Sequence, residues 1–419
     1  MLVEFRVENH RSLRDEQALS MEVARPHDSE ARSASTPLLP VAALYGANAS
    51  GKSNVLGALR FMRDAVIHSH RFWSPDGGVP RDPFAWGDKA REPSLYELTF
   101  ALDGVRHEYG FVIDDERFLE EWHYVWPHGR KQVWFEREGD EFRFGEHLKG
   151  ENRVAEKITR PNGLFLSAAV QNRHEQLEPV FRFLRRMRFH KVPGQRGPVH
   201  SDDLPRWLRG ESAQLSLFDQ DHDAERAAHL EAFRLLLRAA DIGIIDIKIQ
   251  AEDEGGASLR DRLRRSRNRV FLQHRGPVAD AWLPLEEESA GTQQLFRLAP
   301  LVLDTLFRGG VLVMDELEAS FHPLLALQII RTFNDPGQNP HHAQLIFSTH
   351  DTNLLGTTLG APSLSRDQIW LTEKDDEGAT RLYPLTDFKP RKEENLERGY
   401  LQGRYGAIPF LGDLAKLGK

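Results

Sequence analysis

LYGANASGKSNVLGAL, residues 44–59, decides the fold of this chain. The run LPVAALY (39–45) ahead of it is short and apolar, stops at glycine, and reads as a buried strand. After it, Val55, Leu56, Leu59, Phe61 and Met62 recur at helical spacing. Strand, glycine-bounded turn and helix form the context that gives the spacing G-x-x-x-x-G-K-[ST] a chemical meaning, where an isolated match would be a chance glycine turn. Gly46 and Gly51 let the backbone wrap closely enough for its N–H groups to face phosphate oxygens, and the helix N-terminus adds positive potential. Lys52 then reaches the β- and γ-phosphates of ATP, and the Ser53 hydroxyl ligates Mg²⁺.

Two more apolar runs end in polar clusters. VLVMDE (311–316) delivers Asp315 and Glu316 to the end of a strand. A carboxylate in that position needs a partner, since an unpaired buried charge is costly. Mg²⁺ supplies one for Asp315, and Glu316 is placed to orient and activate an attacking water. AQLIFSTHD (343–351) brings His350 to the same edge, where ligands of such sheets bind. A core histidine is the default for a lone His, but the end of a buried strand favours a hydrogen bond to the γ-phosphate.

EEESAGTQQLF (286–296) reads by itself as a turn and helix start, with Ser289 as a cap. The remainder of the chain bounds the reading. Its 419 residues suffice for two lobes, and it contains no cysteine, which removes disulfides, thiol catalysis and Cys-ligated zinc and suits a reducing cytoplasm. The N-terminus lacks signal-peptide anatomy, no apolar run approaches a membrane span, and a net charge of −8 confines any nucleic-acid contact to local patches.

Residues 1–173 are expected to form a first lobe, with an antiparallel β-meander inserted at about 90–146 and a hairpin turn at Asp103–Gly104. A helical insertion is expected over 174–240 and a second lobe over 241–419.

In order along the chain come the phosphate loop, SAGTQ, an acid-ended strand continuing as ELEASFHP (316–323), and a strand ending in histidine. This resembles the ABC-type ATPase heads, in their RecF/OLD/SMC-like branch. The opening VENHRSL (7–13) looks like that branch's first strand, and the segment 392–411 resembles the end of stand-alone heads from bacterial anti-phage defence operons. The resemblance implies an α/β P-loop NTPase that dimerises head to head, with each ATP held by the P-loop of one copy and the SAGTQ segment of the other. Ser289 and Gly291 would then contact the γ-phosphate. Gly46, Asn48, Gly51, Lys52, Ser53, Asn54, Arg11 and a glutamine, taken as Gln171, would contribute from the P-loop side. The SAGTQ segment lacks the leading Leu and one Gly of the usual signature, which bears on dimer affinity.

Function follows as an expectation: an ATP hydrolase controlling a separately encoded nuclease or toxin in anti-phage defence. The alternative is a RecF-like repair ATPase. QLSLF (Gln214–Phe218) resembles a sliding-clamp docking peptide, or else pins a loop onto the core. The arginine-dense stretch Arg260–Arg275, and a second basic run at 181–191, read either as phosphate contacts or as solvated faces.

Overall fold

The computed structural model describes residues 1–24, 37–191, 220–240, 243–251, 268–276, 278, 281–319, 321–357, 360–391 and 394–408. The chain divides into two compact units. The first comprises Met1–Gln195, Gly309–Leu317 and Ile329–Lys419, and the second Arg196–Arg308 and Glu318–Gln328. This differs from the expected boundaries: the strands ending in Asp315 and His350 belong with the phosphate loop, while SAGTQ belongs to the other unit.

In the first unit, β3 (Val41–Gly46) lies inside a six-stranded sheet. The order is β16 (Thr380–Pro384), β15 (Ile369–Lys374), β3, β14 (Gln344–Ser348), β13 (Val311–Met314), β9 (Arg188–His190). All neighbours are parallel except β15 and β16. Parallel strands covered on both faces read as unbroken apolar runs, which is why β3, β13 and β14 stood out. Phe347 is level with Ala43 on one side and Met314 on the other, so these three strands finish at one edge. Helix α1 (Lys52–His68) follows β3 and buries Val55, Leu56, Leu59, Met62 and Val66. Each such side chain contributes about 2 kcal/mol on burial.

The meander forms β4 (Ser94–Leu102), β5 (Val105–Ile113), β6 (Phe118–Trp126), β7 (Gln132–Glu138) and β8 (Glu141–Phe144). Asp103 and Gly104 both have positive φ (49° and 78°), as a type I′ turn requires. The meander is not a free-standing insertion. β1 (Leu2–Glu8) pairs with β4, and β2 (Gln17–Ser20) with β1, giving one sheet in the order β2-β1-β4-β5-β6-β7-β8. Helices α2 (Asn152–Ile158), α3 (Phe165–Gln171) and α4 (Glu178–Arg186) come next in the chain, and α4 packs on α1 and α3. The expected helical insertion therefore breaks up. α4 and β9 belong to the first unit, and only α5 (Gln220–Ala240) to the second.

Glu121, fully buried on β6, ties the antiparallel sheet to α3. Its carboxylate accepts the Phe165 and Leu166 N–H groups at 2.7 and 3.1 Å and the Tyr109 hydroxyl at 3.0 Å. Burial pushes its pKa up, opposed by Arg137 at 3.9 Å. Those two N–H groups open α3 and have no intrahelical acceptor.

The second unit contains an antiparallel sheet of β10 (Ile244–Ala251), β11 (Asn268–His274) and β12 (Trp282–Pro284). Helices α5 and α6 (Ala290–Arg308) pack through Phe233 on Phe296 at 5.3 Å and His229 on Phe307 at 4.1 Å. Two further helices, α7 (Pro323–Asn334) and α8 (Leu396–Leu401), follow β13 and β16.

Glu97 on β4 has its carboxyl pushed up to about 7 from 4.5, by burial first and then by Glu108, against the attraction of Arg6. The folded chain holds a proton there that the unfolded chain releases between these values. The stability this protonation contributes is complete below pH 4.5 and disappears as pH rises through 7. Glu97→Gln is therefore expected to gain stability over the parent at pH 8 and not at pH 4, read by urea unfolding. A difference independent of pH would overturn this.

Candidate nucleotide site

The phosphate loop is fitted to its surroundings atom by atom. A Cβ on Gly46 would fall 2.4 Å from the Thr372 carbonyl oxygen, and one on Gly51 (φ 112°) would fall 2.0 Å from Thr380 Oγ1. Thr372 and Thr380 belong to the β15–β16 hairpin beside the loop. Thr380 Oγ1 donates to the Ser50 carbonyl at 2.8 Å, and the Ser50 and Thr372 hydroxyls meet at 2.6 Å. Ser12 completes the support, its hydroxyl 2.7 Å from Thr380 Oγ1 and accepting from Asn54 Nδ2 at 2.6 Å. Lys52 is 6 % exposed, and its ammonium donates to the Gly46 and Ala47 carbonyls at 2.9 and 3.0 Å. Asn48 and Ala49 form the exposed tip.

Asp315 and Glu316 follow β13, two strand spacings from β3 and hence about 10 Å across the sheet. Asp315 is 7 % exposed. Its amide donates to His190 O at 3.1 Å, and its Oδ1 accepts from the Ser348 hydroxyl at 2.5 Å. The same hydroxyl accepts the Glu316 N–H at 2.8 Å. Glu316 has φ 53°, a left-handed conformation that costs a non-glycine residue about 1 kcal/mol or more, and its side chain is exposed. Ser348 thus aims the acids in different directions, Asp315 inward and Glu316 outward. Ser53 and Asp315 provide the hard oxygen donors that suit Mg²⁺. Among the described residues no group of three or more His, Asp or Glu converges on a metal position, so phosphate and water oxygens would have to complete such a shell.

The segment after Glu394 packs behind the loop. The Tyr400 ring meets the Tyr45 ring edge-on at 5.7 Å, and its hydroxyl donates to Ala407 O at 3.2 Å. The Gly46 backbone hydrogen-bonds the same hydroxyl, countering the upward push of burial on its pKa. Tyr405 donates to Glu394 at 2.5 Å, and Tyr383 to Glu373 at 3.0 Å. A Cβ on Gly399 would fall 2.6 Å from the Tyr405 hydroxyl.

The structure brings Gly46, Gly51, Lys52, Ser53, Asp315 and Glu316 to one edge, with His350 exposed just beyond β14. Asn54 is turned to Ser12. Arg11, also at positive φ (51°), places its guanidinium on Asp82 at 2.9 Å. Gln171 does not join them. It ends α3, whose start is bonded to Ser69 and Ser167 to His70, past the C-terminal end of α1. Lys52 begins that helix, about 25 Å away along its axis. Ser289 caps α6 in the second unit, its hydroxyl accepting the Thr292 N–H at 3.1 Å, and Gly291 is exposed beside it. Gln214–Phe218 and residues 260–267 lie outside the described residues, and Arg275 is exposed at the end of β11. Sequence reasoning missed Ser12, Ser348, Thr372, Thr380 and Tyr400. Ser348 carried a signal as part of the polar end of β14, and Ser12 and Tyr400 lay inside the family-like segments 7–13 and 392–411, while Thr372 and Thr380 carried none.

Fold and site together define an α/β P-loop NTPase, with β14 between the P-loop strand and the acid-ended strand. A family model described as "AAA domain, putative AbiEii toxin, Type IV TA system" matches residues 41–356. The chain belongs to that family of P-loop ATPases. No curated protein matches it. Among solved structures it is similar to an SMC head bound to the C-winged helix domain of ScpA, at 13 % identity over 91 % of this chain and 96 % of that one, with a TM-score of 0.44. It is also similar to the SMC head domain from Thermotoga maritima, at 14 % identity over 91 % and 98 %, with a TM-score of 0.39. A third is an Smc head with an extended coiled coil bound to the C-terminal domain of ScpA, derived from Pyrococcus furiosus. There identity is 12 % over 96 % and 98 %, with a TM-score of 0.40.

Ser348→Ala removes the hydroxyl shared by Asp315 and Glu316 and leaves a buried carboxylate oxygen and an amide short of a partner. A loss of about 1–3 kcal/mol is expected in chemical unfolding. Parental stability would show that the hydroxyl is dispensable.

Proposed function

We propose that the protein is a Mg²⁺-dependent ATP hydrolase that closes head to head on ATP and thereby controls a separately encoded effector in antiviral defence. The carrying observation is the shared edge of β3, β14 and β13, where Lys52, Ser53, Asp315 and Glu316 stand together. Lys52 and the loop amides would hold the β- and γ-phosphates, Ser53 and Asp315 the metal, and outward-facing Glu316 the attacking water. His350, exposed just beyond β14, would contact the γ-phosphate.

Dimer closure rests on Ser289 and Gly291. Among the described residues, a Cβ on Gly291 would meet nothing nearer than Ser289 Oγ at 3.8 Å. Among the described residues no neighbour demands a glycine there, although glycine costs a helix about 1 kcal/mol. Close approach by a second copy's nucleotide would account for it, and a two-fold dimer would supply both halves of each site. The family's description as a putative toxin of a type IV system supports a defence role, with hydrolysis as the step that reopens the heads.

Glu316→Gln is expected to bind ATP, to hydrolyse it about 100-fold more slowly or worse, and to accumulate as a dimer in size-exclusion chromatography with light scattering. Parental turnover would remove Glu316 from the base role. Ser289→Arg is expected to keep ATP binding and to lose ATP-driven dimerisation. If it dimerises as the parent does, the second half of the site lies elsewhere.

A further inference from the structure

The basic run 181–191 resolves into two faces. Phe181, Phe183 and Leu184 are buried, while Arg182 and Arg185 face outward. Together with Arg71 and Arg173 they line a cavity of about 440 Å³, in which the facing carboxylates are Glu175 and Glu178. Glu178 is taken by Arg182. Among the described residues, no carboxylate pairs with Arg71, Arg173 or Arg185. Arg71 lies over the Phe72 ring at 5.2 Å and Arg185 over the Phe181 ring at 5.9 Å.

Arg173 adds a second observation. Its φ is 66°, at the turn that ends α3, a position where glycine or asparagine is favoured. An arginine is thus held in a disfavoured conformation on the wall of the cavity. Arg173, His174 and Glu175 are also the wall of a neighbouring cavity of about 740 Å³ that continues to Lys149. Two concavities meeting at Arg173 suit an extended anion better than a compact one. Phe72, 64 % exposed beside Arg71, offers an aromatic face of the kind on which unpaired bases stack.

We propose that this double cavity binds the sugar–phosphate backbone of a single nucleic-acid strand, with Arg71, Arg173 and Arg185 on successive phosphates and Phe72 as a stacking platform. The site is at the end of α1 opposite Lys52, so it stands or falls independently of the P-loop reading.

The test is anisotropy of a labelled oligothymidylate with the full chain, titrated with salt. The parent and Arg71→Glu/Arg173→Glu/Arg185→Glu are compared, with a DNA duplex and inorganic tripolyphosphate as competitors. The triple variant is expected to bind at least about 10-fold more weakly at low salt. The slope of log affinity against log salt should fall by about 2, from three lost phosphate contacts to a single strand. Phe72→Ala is expected to weaken binding with the slope unchanged. If charge reversal lowers the thermal midpoint, the neutral pair Arg71→Gln/Arg185→Gln reads the same slope, with a fall of about 1.4. Absence of binding by the parent, equal binding by parent and variants, or tripolyphosphate or duplex competing better than the unlabelled strand would each overturn the proposal.

Discussion

A chain of hydroxyl contacts holds the phosphate loop in place. It passes from Ser12 to Thr380, on to the Ser50 carbonyl, and from the Ser50 hydroxyl to Thr372, which donates to Tyr45 O at 3.3 Å. All of these groups are buried, and a buried hydroxyl without a partner costs a few kcal/mol. The loop therefore keeps its shape only while residues from both ends of the chain stay beside it. The glycines follow from this, since side chains at 46 or 51 would collide with the threonines that support them. The acids are held in the same way on the far side of β14, where one serine hydroxyl serves two residues whose side chains must diverge.

Much of this site was legible because its signals are local. A buried parallel strand is an apolar run, and a run ending in glycines, in two acids or in Ser-Thr-His marks its own carboxyl end. The supports were not legible, because Thr372 and Thr380 act on a loop more than 300 residues earlier in the chain. The same limit explains the antiparallel sheet. Alternation and the Asp103–Gly104 turn revealed the meander, but nothing in LVEFRVE indicates that it pairs with SLYELTFAL.

Gln171 shows a different limit. A short apolar run such as LFLSAAV fits a strand or a buried helix equally well by periodicity. What decides is Glu121, a carboxylate on a distant strand that receives the first two amide groups of α3. With the segment helical, its last residue is carried to the far end of α1 and away from the phosphate loop. The SAGTQ segment behaved as its local chemistry suggested, with Ser289 capping α6. That geometry is compatible with capping alone and with phosphate contact from outside, since a cap uses one face of the turn and leaves the N–H groups ahead of it directed outward.

The order of strands around β3 has a consequence for synthesis. β3 and the loop are made about 300 residues or more before β14 and β15, the two neighbours of β3, and Tyr400 comes later still. A chain emerging from the ribosome can fold the antiparallel sheet from β1, β2 and the meander well before that point. Its phosphate loop, however, would then lack both flanking strands and the threonines that close around the glycines. Capacity to hold a nucleotide thus arrives only once Thr372 and Thr380 have been made, so a product truncated before them would carry the motif without the grip.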